Sequence, residues 1–396
     1  IIQNFFSGEV DFVTIEKINS NVINIPHLPK TKFVSLIVDC FHVDYFDVVL
    51  EKESISINSI VTLYKTDVNS IDILRHIGIS DTKYQKIDVD TFIMTPAIFE
   101  ILKREAPYLI AMKVEDLAKI PEIDADDEID EDPDYSIPDP TNEPVIGVID
   151  THFDKHVYFS KWVEYKNMQS KEIELEPEDF DHGTMVSSII VDGPALNPRL
   201  QDNCGRFRVR HFGVAKKGSN SSSFIMDAIE KIVVNNKDIK VWNLSLGSEL
   251  EIDRNFISPE AAKLDSLQFN HDIVFIVSGT NKPENKDYPK KIGAPADSIN
   301  SIVVNSVDFN DTPADYSRTG PVLSFFNKPD LCYYGGTYED RLTVYAPHGK
   351  KKTYGTSFAA PWIARKMAYL IYKMNFTKEV AKAFNDFGIL TIQGYG

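Results

Sequence analysis

The chain has 396 residues, of which 42 are basic and 59 acidic, so its formal net charge is −17, and 43% of its residues are hydrophobic. The hydrophobic share is enough for a sizeable core and disfavours global disorder, and the length predicts one large domain plus a smaller one. The acidic balance argues against nucleic acid and anionic membranes as partners, since phosphate groups need a basic surface, and no run of about 18 apolar residues predicts a transmembrane helix.

Residues 1–120 predict a small N-terminal α+β domain. Apolar runs rich in β-branched residues are typical of strands, and Thr95 followed by Pro96 is typical of a helix start, with threonine as the N-cap and proline at the first helical position. The predicted elements are a strand over 59–64, a strand over 86–94, a helix over 96–106 and a strand over 108–114.

Residues 121–143 predict a linker. The stretch from Glu122 to Asp134 is dense in Asp and Glu, and prolines stand at 133, 138, 140 and 144. Such a segment repels itself and cannot build a core, so we expect a flexible tether. It contains no EF-hand pattern.

Residues 144–396 predict the larger domain. Pro144–Asp150 (PVIGVID) is apolar without alternation, which is typical of a strand covered on both faces. Because similar strands alternate with helices, we expect an α/β fold with a doubly wound, mostly parallel sheet and helices on both faces. The other predicted strands cover 240–246, 273–277 and 301–304, and the predicted helices cover 182–191, 223–235 and 261–269.

Two segments of this domain carry candidate catalytic side chains. Asp150 ends the first strand, and open parallel sheets hold their sites at the carboxyl ends of strands. His182 stands in Asp-His-Gly-Thr at the start of an apolar helix. Either residue alone has a structural explanation, so the interpretation depends on a third segment.

That third segment is Tyr-Gly-Thr-Ser-Phe-Ala-Ala-Pro at 354–361, in which Ser357 precedes a helix predicted over 358–373. A helix N-terminus offers unpaired N–H groups and a partial positive charge that stabilise an oxyanion, and small neighbours let a substrate backbone approach. An ordinary N-cap role explains the serine but not the small residues around it.

Together these segments resemble the three signatures of the subtilisin-like (subtilase) family. The family's Asp-Thr-Gly or Asp-Ser-Gly is here Asp-Thr-His at 150–152, its His-Gly-Thr lies at 182–184, and its Gly-Thr-Ser-x-Ala-x-Pro lies at 355–361. The order Asp, His, Ser is also that of the family. The resemblance covers roughly residues 145–396.

Two further segments match the family. Asn-Leu-Ser-Leu-Gly at 243–247 resembles the strand that pairs with substrate backbone and lines the specificity pocket, and Ser-Gly-Thr-Asn at 278–281 resembles the segment that ends in the oxyanion-hole asparagine. The resemblance implies Asn281 as an oxyanion-hole residue. The substrate-binding residues that it implies are Ser245, Leu246, Gly247, Ser278 and Gly279.

The resemblance implies a serine endopeptidase with Asp150, His182 and Ser357 as its catalytic triad. Ser357 would attack the scissile carbonyl, His182 would carry the proton, and Asp150 would hold the histidine tautomer. The expected partners are a polypeptide substrate and a regulatory protein, with no nucleic acid and no membrane. No cofactor is predicted with certainty, and a structural calcium ion is left open.

The sequence departs from the family pattern at His152, where glycine is usual, and after Asn281, where KPENKDYPKK replaces a glycine-rich segment. We still expect activity because Asp150 is present, and the alternative is a catalytically impaired subtilase-fold module for binding or regulation. An esterase is disfavoured because Ala359 stands where a nucleophile elbow needs glycine. The spacing of His152 and His156 suggests a metal pair, although no further ligand pattern accompanies it.

The N-terminal domain has two explanations. The strand–helix–strand over 86–114 has the position and pattern of a subtilase propeptide, and cleavage would then fall within 115–143. We slightly favour a permanent domain for docking or substrate choice, because residues 1–120 exceed a minimal propeptide.

Charge and cysteine usage support two further expectations. Glu249 and Glu251 lie just beyond Gly247 and predict, on charge alone, a preference for basic side chains in the substrate. The three scattered cysteines form no disulfide framework, and the start of the chain has no signal-peptide pattern. We therefore expect a cytoplasmic bacterial protein, or a secreted one if a signal peptide was trimmed.

Overall fold

The computed structural model describes most of the C-terminal part of the chain and shorter stretches before it. The described residues are 20, 59–63, 66, 68–86, 91–106, 110–114, 135–169, 175–216, 222–248, 251–252, 257–282, 291–323 and 326–386.

Among the described residues before 115, the N-terminal unit contains an antiparallel sheet and two α-helices. Its strands are β1 (Ser59–Leu63), β2 (Tyr84–Lys86), β3 (Thr91–Met94) and β4 (Ile110–Val114), and its helices are α1 (Ser70–His76) and α2 (Pro96–Glu105). The strand order is β2-β3-β1-β4. Buried apolar side chains of the strands and helices form one core, which includes Val61, Leu74, Phe92 and Leu102. The predicted α+β character of this unit is confirmed.

The predicted single strand over 86–94 is wrong. β2 and β3 pair antiparallel, with Tyr84 opposite Met94, so the chain reverses direction between them. The alternation was misleading because Asp88 and Asp90 occupy its polar positions, although aspartate is disfavoured within strands.

A seven-stranded sheet organises the larger domain. Its strands are β5 (Val145–Asp150), β6 (Val163–Asn167), β7 (Arg208–Gly213), β8 (Val241–Leu244), β9 (Val274–Ser278), β10 (Ile302–Val307) and β13 (Leu331–Tyr334). They lie in the order β13-β10-β9-β8-β5-β7-β6, and every neighbouring pair is parallel. Two smaller antiparallel pairs join β11 (Gly320–Val322) with β12 (Phe326–Lys328) and β14 (Leu342–Ala346) with β15 (Gly349–Thr353).

Helices cover both faces of this sheet, which confirms the doubly wound prediction. The helices are α3 (Asp181–Leu196), α4 (Ser222–Asn235), α5 (Pro259–Asn270), α6 (Thr356–Ala368) and α7 (Lys378–Asp386). One apolar core holds α3 and α6 against the sheet, and a second holds α4 and α5. Alternate residues of a strand serve the two cores: in β9, Ile276 faces the first and Phe275 the second. None of the helices in the described residues is long and apolar enough to cross a membrane.

The last part of the predicted tether is packed against the larger domain. The Tyr135 hydroxyl donates to Asp192 Oδ2 at 2.8 Å, and Ile137 packs against the core that α3 and α6 share. The prediction of a flexible segment is therefore wrong for 135–143, because its apolar and aromatic side chains find partners that charge density does not reveal. Residues 121–134 lie outside the described part.

Candidate active site

Asp150 is the last residue of β5, at the carboxyl edge of the sheet, and its side chain is fully buried. Its Oδ1 accepts hydrogen bonds from the Thr151 N–H at 2.7 Å and from His182 Nδ1 at 2.5 Å. A buried carboxylate is costly unless donors meet its charge. Both donors bond Oδ1, whereas Oδ2 is buried without a hydrogen-bond partner among the described residues.

His182 lies in the first turn of α3 and is 4% exposed. A carboxylate oxygen accepts hydrogen bonds, so Nδ1 of His182 carries the proton that it donates to Asp150. The neutral ring then keeps its lone pair on Nε2. This is the tautomer that a general base requires.

Short contacts fix α3 against the turn that follows β5. The Gly183 N–H donates to Thr151 Oγ1 at 2.8 Å, and a Cβ on Gly183 would lie only 2.6 Å from the His152 carbonyl oxygen. No side chain fits at this approach. The glycine of His-Gly-Thr is thus needed to bring His182 to Asp150.

Ser357 is the second residue of α6 and is 7% exposed. Its carbonyl oxygen accepts from Ser245 Oγ at 3.1 Å, and Ser245 directly follows β8, the neighbour of β5. The ring of Phe358, the next residue, lies 5.6 Å from the ring of His182. The structure thus brings Asp150, His182 and Ser357 to one edge of the sheet.

Asn281 lies against the N-terminus of α6. Its Oδ1 accepts from the Thr356 N–H at 3.0 Å and from the Thr356 hydroxyl at 2.8 Å, which leaves Nδ2 as the donor end of the amide. Nδ2 lies 3.1 Å from the position of a Cβ on Gly355, whose φ of 152° favours glycine. The donor of Asn281 therefore faces the backbone just before Ser357.

The predicted strand over 240–246 ends earlier, because β8 stops at Leu244. Leu246 is 2% exposed and belongs to the core that α4 and α5 cover. Gly247 lies against Thr280, whose Cγ2 would be 2.6 Å from a Cβ at position 247. Substrate binding by this segment stays a prediction, and it would involve the backbone.

The remaining predicted binding residues end a neighbouring strand. Ser278 is the last residue of β9 and is 3% exposed, and the Gly279 N–H donates to the Val304 carbonyl at 2.9 Å. Of the segment that departs from the family pattern after Asn281, residues 283–290 lie outside the described part.

His152 forms a buried polar cluster of its own. Its Nε2 donates to Gln169 Oε1 at 3.2 Å, since Gln169 Nε2 donates to a backbone carbonyl, and its Nδ1 accepts from the Tyr165 hydroxyl at 2.6 Å. Burial lowers the pKa of His152, which favours the neutral ring. The bulky residue is therefore accommodated beside the Asp150 turn.

The metal pair suggested by histidine spacing is wrong. His152 is fully buried, whereas His156 is 91% exposed and its Nδ1 contacts Asp154 Oδ1 at 2.7 Å. Within the described ranges, no three His, Cys, Asp or Glu side chains come together to hold a metal ion. A structural calcium ion stays a prediction.

His211, in β7, is a residue that sequence reasoning missed. It is fully buried, and its Nε2 donates to the Thr151 carbonyl at 2.7 Å while Nδ1 accepts from the Ser187 hydroxyl at 2.9 Å. It thereby ties the turn after Asp150 to α3, which carries His182. The sequence gives no clear signal for it, because its strand, RVRHFG, also carries two arginines.

Stability is expected to fall between about pH 6.5 and pH 4 because of His211. Burial lowers the pKa of His211 from 6.5 to about 4, so the unfolded chain binds the extra proton in this window. The loss approaches about 3 kcal/mol at the acidic end. Urea unfolding at several pH values should show it, and His211→Gln, which keeps a donor, should flatten the curve. Parallel curves for the two proteins would contradict this assignment.

A buried Asp–His pair and a serine at a helix N-terminus thus lie at the carboxyl edge of the parallel sheet of an α/β domain. The model of the subtilase family matches residues 141–384. The chain belongs to the subtilase family.

Two curated relatives are similar over part of their length. Subtilisin-like protease 2 of Pseudogymnoascus destructans (strain ATCC MYA-4855 / 20631-21) is 30% identical over 155 residues, which are 39% of this chain and 34% of that protein. A subtilisin-like protease of Coccidioides posadasii (strain C735) is 27% identical over 205 residues, which are 49% and 43% of the two chains. The chain thus spans less than half the length of these relatives.

A solved structure supports the fold. The chain resembles the epidermin leader peptide processing serine protease (EpiP) from Staphylococcus aureus with a TM-score of 0.55 and 17% identity, over 83% of this chain and 91% of that one.

Proposed function

We propose that the chain is a serine endopeptidase that cleaves polypeptides through Asp150, His182 and Ser357. The observation that carries the proposal is the hydrogen bond from His182 Nδ1 to the fully buried Asp150, at the sheet edge where α6 begins. Membership of the subtilase family supports the same chemistry.

The reaction follows from the tautomer of His182. As Ser357 Oγ bonds to the scissile carbonyl carbon, Nε2 of His182 takes the hydroxyl proton, and Asp150 stabilises the resulting imidazolium. The imidazolium gives this proton to the amine nitrogen as the C–N bond breaks, which leaves an acyl ester on Ser357. Water then attacks the ester with His182 as base, and the returning proton restores the Ser357 hydroxyl.

The tetrahedral intermediate needs donors for its oxyanion. We assign Asn281 Nδ2 and the Ser357 N–H to this task, because the N-terminus of α6 adds its own partial positive charge there. Thr356 fixes the Asn281 amide in the required orientation before substrate arrives.

Asn281→Ala is expected to lower kcat by about 10²–10³-fold with little change in KM, because the lost hydrogen bond forms fully only in the transition state. Steady-state kinetics on a quenched peptide measures both constants. Asn270→Ala, an exposed asparagine at the end of α5, is the matched control. A rise in KM at unchanged kcat would place Asn281 in ground-state binding instead.

Labelling by a fluorophosphonate probe tests the proposal. The folded protein should be modified at Ser357, and Ser357→Ala or heat-unfolded protein should not be modified. Folded protein that neither reacts nor cleaves peptides would favour the alternative, a subtilase-fold module for binding or regulation.

The same probe separates the two explanations of the N-terminal unit. Labelling of the uncleaved chain indicates a permanent domain, whereas labelling that begins only after proteolysis within 115–143 indicates a propeptide. Mass spectrometry locates the cut.

A charge preference is also part of the proposal. Glu251 is exposed and its Oε1 accepts from the Lys291 N–H at 3.1 Å, while Glu249 lies outside the described residues. A peptide-library cleavage profile without enrichment of Lys or Arg at any substrate position would end the proposed preference for basic side chains.

A further inference from the structure

Thr280 has a backbone conformation that is unusual for its residue type. It stands between Gly279 and Asn281, immediately after β9, and its φ is 64°. A β-branched residue with positive φ is a genuine outlier, because its branched side chain crowds the backbone. Such conformations persist where surrounding contacts hold them, so the contacts of Thr280 indicate what it does.

The hydroxyl of Thr280 both donates and accepts a hydrogen bond. It donates to the Gly279 carbonyl at 2.7 Å and accepts from the Gly293 N–H at 3.0 Å. The side chain is 7% exposed. These bonds direct the side chain into the space beside the segment that carries Gly293.

The methyl group of Thr280 faces the opposite wall of that space. Its Cγ2 would be 2.6 Å from a Cβ at Gly247, so glycine is needed there. The two walls also meet directly, since the Ser248 N–H donates to the Ala294 carbonyl at 2.7 Å. The Thr280 side chain therefore fills the gap between two walls built of small residues.

This gap adjoins the proposed oxyanion donor. In a bound substrate, the Cα of the residue that contributes the scissile carbonyl is only about 1.5 Å from the carbonyl carbon. In the proposed binding mode the oxyanion lies on Asn281, and the side chain of that substrate residue enters the neighbouring space bounded by Gly247 and Thr280. In that binding mode the threonine methyl and hydroxyl occupy space that a large side chain would need.

We infer that Thr280 restricts the residue before the scissile bond to small side chains, glycine, alanine or serine. The inference rests on the proposed peptidase function. If this inference holds, a preference for basic side chains would concern other substrate positions, because lysine and arginine are too long for the space beside Thr280.

The test is a series of internally quenched peptides that differ only in the residue before the scissile bond, with Gly, Ala, Leu, Phe or Arg there. For the full chain, kcat/KM should be at least about tenfold higher with Ala than with Leu or Phe, since one methylene in a pocket is worth about 10–200-fold. Thr280→Gly should raise the Leu-to-Ala ratio of kcat/KM at least about tenfold. Thr280→Ser, which keeps the hydroxyl and removes the methyl, should fall between the two.

The outcomes separate the two proposals. If Ser357 reacts with the fluorophosphonate and the wild-type protein cleaves after Phe as well as after Ala, the role of Thr280 is overturned while the peptidase stands. An unchanged Leu-to-Ala ratio in folded Thr280→Gly and Thr280→Ser overturns it as well. Absence of both labelling and cleavage overturns both proposals. If the Thr280→Gly variant fails to fold, the wild-type cleavage profile and the Thr280→Ser variant still test the role of Thr280.

Discussion

Ser357→Ala and His182→Ala are each expected to lower kcat/KM by about 10⁴-fold or more, and the double variant should lose little beyond either single one. In the proposed mechanism His182 acts only on the proton of Ser357, while Asp150 holds the histidine tautomer through Nδ1. Once either Ser357 or His182 is removed, the other side chain no longer contributes to catalysis. Progress curves on a quenched peptide at high enzyme concentration measure the residual rates.

His156→Ala is the matched histidine control. This side chain is 91% exposed and contacts Asp154 at the surface, so its removal should leave kcat/KM within about twofold of the wild type. The triad assignment would be refuted if the losses at Ser357 and His182 multiplied in the double variant, because multiplication would mean that the residues act independently.

Arg365→Ala is expected to lower the free energy of unfolding by about 3–5 kcal/mol. Arg365 lies on α6, and its guanidinium bonds Asp202 at 2.7 and 2.9 Å and the Ile190 carbonyl of α3 at 2.5 Å. The Arg365 and Asp202 side chains are buried, so the alanine variant leaves an uncompensated carboxylate inside. Because α6 carries Ser357 and α3 carries His182, the same change should also loosen the site.

Urea unfolding measures this loss, and a surface ion pair supplies its control. Lys231 and Asp227 on α4 are 69% and 45% exposed, and Lys231→Ala should change the free energy of unfolding by less than about 0.5 kcal/mol. Equal effects of the two substitutions would show that the Arg365 pair is no more important than a solvated one.

Short-range patterns marked the candidate catalytic residues, and the resemblance of their three segments to the subtilase signatures gave these residues their proposed roles. Asp150 ends an apolar run, His182 opens a helix before glycine, and Ser357 stands among small residues at a helix start. Each pattern reflects local physics, either the burial of a strand or the free N–H groups of a helix N-terminus. The alternation of strands and helices along the chain predicted the parallel sheet, because parallel neighbours need crossover connections.

Contacts between residues distant in the sequence could not be predicted from these short-range patterns. His211 reaches the turn after Asp150 across 60 residues of chain, and Arg365 reaches Asp202 across 163. No periodicity or spacing pairs residues this far apart, and the reversal between β2 and β3 was hidden by an apparent alternation that runs through it.

The amino-acid sequence by itself determined the α/β class and the order of the elements, because each follows from residue types within a few positions of one another. Its resemblance to the subtilase signatures supplied the three side chains proposed for catalysis. Only the tertiary structure decided the histidine tautomer, the support of the Asp150 turn by His211, the packing of residues 135–143 and the Thr280 side chain between its two walls. The physical reason is that these features depend on hydrogen bonds and close packing between segments distant in the chain, and such contacts exist only once the sheet and its covering helices have brought those segments together.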